Sequence, residues 1–204
     1  NAKKFTRLSS PICIYILVSV FALLFKPDLS AQQENLPCNT RVPWVNDSEY
    51  NFSITRTQTV SPPLILVETA EWILPQNVDN GNISDFATAS VLLAGYCEMT
   101  LTDQNNTYSA GNYVGFVVEE GAGLDILGLL EGVTIQTMLD GEVQETRTLN
   151  TFLSLNLGSN KYEIGFITSL PYDGLRFRYD ATLLSSIRVY HAVMEAYCEG
   201  EDLP

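Results

Sequence analysis

The sequence predicts an all-β protein, an antiparallel β-sandwich preceded by a short helical leader. Three observations carry that expectation. After residue 31 the chain breaks into short runs in which apolar and polar residues alternate, the period of a half-buried strand. Turn residues separate those runs at short intervals, among them the dipeptide Asp140-Gly141. No stretch beyond the leader keeps a 3.6-residue apolar period, which argues against a βαβ enzyme architecture.

The leader comes first. Lys3, Lys4 and Arg7 precede an apolar run over 12–25, followed by the small residues Ser30 and Ala31. The run is shorter than the roughly 20 apolar residues a spanning helix needs. A basic flank, a short apolar run and a small-residue exit describe a secretory signal peptide over 1–31, cut before Gln32. An uncleaved membrane anchor is the alternative. No second run of spanning length follows, so the expected mature chain is secreted or held at the cell surface, with no membrane contact after cleavage.

Composition agrees. Hydrophobic residues make up 46% and charged residues 17% of the 204, enough for a real core. The formal net charge is -13. An acidic surface repels phosphate backbones and excludes nucleic acid as an expected partner. Of the four cysteines, Cys13 falls in the leader, leaving Cys38, Cys97 and Cys198 as disulfide candidates. An oxidising compartment favours one pair and one spare thiol, and spacing alone does not choose the pair. No Cys or His spacing suggests zinc.

Along the mature chain, residues 50–60 alternate, Pro62-Pro63 interrupt, and 64–67 form a short apolar run. Strand-like runs follow at 91–93 and 97–101 with Gly95 between them, then a turn at 103–106 and a β-prone segment at 113–118. Residues 124–130 read as a single helical turn or a packed loop. The runs at 133–139 and 142–148 flank Asp140-Gly141 and predict a hairpin, because both central residues of its tight turn need positive φ. Strands are expected again at 152–157, 162–167, 175–179 and 187–193. The organisation read from this is a lead-in with a first strand at 32–60, a sandwich over 61–198, and a linker at 199–204. That linker rests on Glu201-Asp202-Leu203-Pro204 resembling Glu34-Asn35-Leu36-Pro37, as though a second copy of the module begins there; an acidic tail is the other reading.

Catalytic chemistry is scarce. The single histidine, His191, lies in the last alternating run, which sets Val189, His191 and Val193 on one face and Tyr190 and Ala192 on the other. Glu119 and Glu120 are adjacent, so on a strand they point apart. There is no G-x-S-x-G elbow, P-loop or H-E-x-x-H. No enzyme is expected. The turn at 78–89 gathers Asp79, Asn80, Asn82, Ser84 and Asp85 around Gly81. Such oxygens suit calcium, with Asp79 and Asp85 as candidate ligands of a structural ion, while an ordinary Asn/Gly turn held by its own side chains is the favoured reading. Tyr108, Tyr113 and Tyr172 fall near predicted loops and are the candidate ligand-binding residues, since a tyrosine ring face suits the C–H face of a sugar.

Several ordered segments carry a resemblance: VDNGNISDFATA, TYSAGNYVGFVVEEG, LLEGVTIQTMLDGEVQET, YEIGFITSLPYDGLRF and IRVYHAV. Together they resemble a module found in tandem in large secreted adhesin-like proteins of Bacteroidetes. The turn at 79–89 ahead of a sandwich is also similar to the start of discoidin-like, galactose-binding jelly rolls, although Phe86 stands where a Trp is usual. The resemblances imply a jelly-roll or galactose-binding-like sandwich and a structural calcium beside the turn. They imply adhesion or carbohydrate binding, with a glycan or cell-surface ligand and neighbouring repeats as partners. A ligand-free stalk repeat and an accessory domain of a secreted hydrolase are the other readings, the last requiring two facing carboxylates in a cleft.

Overall fold

The computed structural model describes residues 40–46, 51–59, 69–121 and 126–195. The chain divides into two compact units, Asn1–Ala31 and Gln32–Pro204, and every described residue belongs to the second. The leader, the apolar run at 64–67, the tail at 199–204, Cys38 and Cys198 lie outside the described residues.

Ten strands are described: β1 (Arg41–Trp44), β2 (Phe52–Gln58), β3 (Ala70–Ile73), β4 (Ala87–Asp103), β5 (Tyr113–Glu120), β6 (Val133–Leu139), β7 (Glu142–Thr148), β8 (Leu153–Gly158), β9 (Lys161–Ile167) and β10 (Gly174–Glu195). One short helix, α1 (Ile126–Glu131), links β5 to β6. Every strand pairing is antiparallel. The all-β sandwich expected from alternation is therefore the fold.

Two strands are much longer than the alternation suggested. The runs at 91–93 and 97–101 are one strand, β4, and those at 175–179 and 187–193 are one strand, β10. Each serves both layers of the sandwich. The first half of β10 pairs with the second half of β4 and with β6, which carries β7; β2 flanks β4 on its other side. The second half of β10 pairs with the first half of β4, with β1 and with β5, and β9 and β8 follow outward from β5. β3 edges this second layer on β4. The core lies between the layers, where alternate residues of β4 (Ala87, Ala89, Val91, then Cys97, Met99, Leu101) meet Phe116, Ile135, Phe177 and Val189.

β1 and β3 were not foreseen. Four residues are too few to establish a period, and Pro43 in β1 is acceptable because an edge strand leaves one side of its backbone unpaired. β2 falls on the first strand expected at 50–60, β1 falls in the stretch expected as a lead-in, and both are hydrogen-bonded members of the two layers. Trp44 of β1 is fully buried, edge-on to Phe52 at 4.7 Å and to Tyr108 at 5.5 Å. The hairpin stands as expected, with φ of 52° at Asp140 and 81° at Gly141.

His191 corrects the face assignment. The register between β10 and β5 shifts between Val189 and His191. One extra residue there reverses the alternation. Val189, Ala192 and Met194 consequently face the core, while Tyr190 and Val193 pack with Tyr113 and Val117 on the opposite face of the layer.

Candidate functional site: a cleft at the bend of the long strands

The three candidate tyrosines are interior residues. Tyr172 is 0%, Tyr113 1% and Tyr108 6% exposed. Tyr108 and Tyr172 stack at 5.3 Å beside Trp44. The Tyr108 hydroxyl donates to Asp103 at 2.6 Å, and that of Tyr172 lies 3.0 Å from the Met194 sulfur. Tyr113 lies under the Arg41 guanidinium, 4.5 Å from its ring centre. Burial, reinforced by the Glu163 carboxylate, pushes its hydroxyl up from the ordinary tyrosine range. Rings enclosed in this way offer no face to a sugar in solvent. The signal that placed them near loops was sound, but short loops here tuck their aromatic residues under the sheet ends.

The turn holding Asp79 and Asp85 is organised by its own amides. Asn46 Nδ2 donates to Asp79 Oδ2 at 2.6 Å, and Asn80 Nδ2 donates to Asp85 Oδ2 at 3.1 Å. The backbone N–H groups of Asn82 and Ser84 donate to the side-chain oxygens of Asn80 and Asn82. Burial raises the Asp79 carboxyl above the usual carboxylate range. Each carboxylate thus faces N–H donors where a hard cation needs converging oxygens, and the residues as arranged do not fit calcium. Among the described residues no three His, Cys, Asp or Glu side chains are grouped to hold a metal.

Cys97 is a free, fully buried thiol on β4. Its one S–H lies within reach of two carbonyls, those of Glu71 (3.2 Å) and Ser90 (3.7 Å), and burial pushes the thiol up to about 12. That removes Cys97 from the disulfide candidates, because exchange needs a thiolate that an oxidant can reach. His191 is 8% exposed and its Nδ1 has no partner. Burial, then the Lys161 charge, lowers its pKa to about 4.

A concave feature lies elsewhere on the described surface, at the bend where β10 passes between layers. A cleft of about 590 Å³ opens between the end of α1 and the outward bow of β10; Glu131, Asp180, Thr182, Leu183 and Leu184 line it above a floor of Tyr179 and Ser185. Its shape follows from local structure. Only glycine fits at 132, since a Cβ there would lie 2.1 Å from the Asp180 carbonyl oxygen. This close approach lets the Asp180 N–H donate to the Gly132 carbonyl at 2.9 Å and docks α1 on β10. Beneath the bow, the Tyr179 hydroxyl donates to Ser185 Oγ at 2.8 Å, tying the two ends of the bend together.

The wall of the cleft is two-sided in character. Leu183 and Leu184 are 72% and 66% exposed, and Leu183 pairs with the half-exposed Leu93 of β4. They form an apolar ledge that the core does not claim. The same lining carries acceptors: the exposed Glu131 carboxylate, the Thr182 hydroxyl and the Asp180 carboxylate. Asp180 is held by Arg178, whose Nε and Nη2 donate to its two oxygens at 2.7 and 2.8 Å. Sequence reasoning missed this site. A signal existed in Leu183-Leu184: two consecutive leucines in an alternating strand must leave one outside the core.

No family model matches the chain, and no characterised protein matches it in sequence. In fold the chain is similar to the lectin domain of lectinolysin complexed with Lewis B antigen, at a TM-score of 0.42 and 10% identity, covering 71% of this chain and 93% of that chain. It is similar to a Streptococcus pneumoniae fucose-binding module (0.41, 10%, covering 71% and 94%). A family 29 carbohydrate-binding module is a further neighbour (0.41, 12%, covering 81% and 98%).

Proposed function

We propose that this chain is a non-catalytic carbohydrate-binding module of a secreted or surface protein, and that the sugar sits in the cleft between α1 and the bow of β10. The observation that carries the reading is the pairing, in one open cleft, of an apolar ledge with hydrogen-bond acceptors. A pyranose has the matching surface, a C–H face that packs on apolar side chains and a rim of hydroxyl donors. Leu183 and Leu184 receive the first; Glu131, Thr182 and Asp180 receive the second. About 590 Å³ lies within the roughly 300–1,000 Å³ of ordinary ligand pockets.

Hydrolysis is disfavoured although two carboxylates line the cleft. Asp180 is ion-paired to Arg178 through both oxygens, with lone pairs left to accept from a sugar, and Glu131 lies in solvent. A glycoside-cleaving pair needs one acid in a water-excluded setting. The stalk reading is weakened by the pairing of β1 with the end of β10, which brings chain entry and exit to one place. An end-to-end spacer needs them at opposite ends.

A glycan array probed with the Gln32–Pro204 unit tests the reading, run with calcium and again with a chelator. Binding to defined sugars, weakened about tenfold or more in both Leu183→Asp and Glu131→Gln with thermal stability unchanged, is the expected result. Binding that survives both substitutions would place the sugar elsewhere. Binding lost on chelation would restore a metal to the account, and a folded protein that binds no glycan would return the stalk repeat.

A further inference from the structure

The edge of a sheet presents unpaired N–H and C=O groups to any further strand, and natural edges discourage that strand with charge, proline or brevity. Among the described strands β1, β2, β3, β7 and β8 each pair on one side only. Four of them are guarded. β1 carries Arg41 and Pro43, β2 carries Arg56, the four-residue β3 carries Glu71, and β7 carries Glu142, Glu145 and Arg147. β8 is bare. Its sequence is LSLNLG, and no residue over 148–160 is charged, in a chain of net charge -13. Residues 154–160 are all exposed, Leu155 at 49% and Leu157 at 47%. The register with β9 shifts between Asn156 and Gly158, so Leu153–Asn156 is the regular part of the edge. Leu155 lies opposite Glu163, and Glu163 opposite Val117, which places Leu155 on the face turned away from the core.

We propose that β8 pairs with β8 of a second copy of this chain, antiparallel about a two-fold axis at Leu155, so that the outer layers of two sandwiches join into one sheet. The strand's own pattern selects that occupant. Two-fold pairing sets Leu155 opposite Leu155 and Ser154 opposite Asn156: apolar meets apolar on one face, and hydroxyl meets amide on the other. Charge agrees. Two acidic chains repel, and an uncharged edge is where they approach with least like-charge contact. The contact is isologous and consumes the bare edge of each copy, while the remaining described edges are guarded, so assembly stops at two. A strand pair this short is small beside the roughly 1,200–2,000 Å² of a standard interface, which makes the dimer concentration-dependent. β8 does not line the cleft, so this proposal and the sugar reading stand or fall separately.

Sedimentation equilibrium of the Gln32–Pro204 unit, at low and high salt and up to its solubility limit, tests the pairing. The expected result is a monomer–dimer equilibrium that strengthens as salt screens the repulsion between copies. Leu155→Lys changes an exposed position and should abolish the dimer with Tm unchanged. Leu155→Cys, oxidised under dimer-forming conditions, should give a reducible dimer that peptide mapping shows linked through position 155. Opposed Cα atoms in an antiparallel ladder are about 4.5–5.5 Å apart, within the roughly 4.4–6.8 Å a disulfide spans. A monomer at every concentration and salt, a dimer that survives Leu155→Lys, growth beyond two copies, or no link through position 155 would each overturn the proposal.

Discussion

His191 shows how one side chain couples this fold to pH. The ring is 8% exposed, and burial together with Lys161 lowers its pKa to about 4, against 6.5 for a free histidine. Between those values the unfolded chain binds a proton that the folded chain refuses. Folding stability therefore falls as pH drops from about 6.5 towards 4, and this group adds no dependence above that window. The full difference is about 3 kcal/mol at 1.36 kcal/mol per unit. Urea unfolding of the parent and of His191→Gln at pH 7 and at pH 4.5 measures it. The substitution should flatten the acid-side loss, leaving the part due to carboxylates; equal slopes in both proteins would refute it. The strand and the solitary histidine were legible in the sequence. Its place on the face opposite the core was not, because one inserted residue at the bulge reverses every later side chain, and nothing local announces it.

At the scale of the element, the bend of β10 is the feature on which the proposed site depends. Tyr179 and Ser185 are both buried and joined by one hydrogen bond below the bow. Replacing Tyr179 with Phe removes the donor and leaves a buried serine hydroxyl to find another partner. The expected cost is about 1–3 kcal/mol in chemical denaturation, with sugar affinity reduced as well because the ledge loses its anchor. A stability loss with unchanged affinity would separate the cleft from the ledge geometry. The sequence divided β10 and β4 each into two runs. The alternation lapses at the bends, where Leu92 and Leu93 of one strand and Leu183 and Leu184 of the other are all exposed. Lapsed alternation looks like a loop, yet backbone pairing continues through Ala181 with Gly95 and Leu183 with Leu93.

Over the whole molecule, β4 and β10 belong to both layers, so neither layer can come apart without disturbing the other. Gln32–Pro204 should accordingly unfold in a single cooperative transition. Tryptophan fluorescence, reporting Trp44 and Trp72 beside β10 and β4, should coincide with far-ultraviolet circular dichroism; separated midpoints would show layers of independent stability. Alternation and turn chemistry determined by themselves that this chain is an antiparallel sandwich, because period and positive-φ dipeptides are local properties. They also determined the hairpin at Asp140-Gly141. Tertiary structure alone decided which aromatic residues are core, which carboxylates meet amides, that Cys97 is sequestered, and where the cleft lies. Each of those depends on what a side chain faces across the sandwich, and that is set by register between segments far apart in the chain.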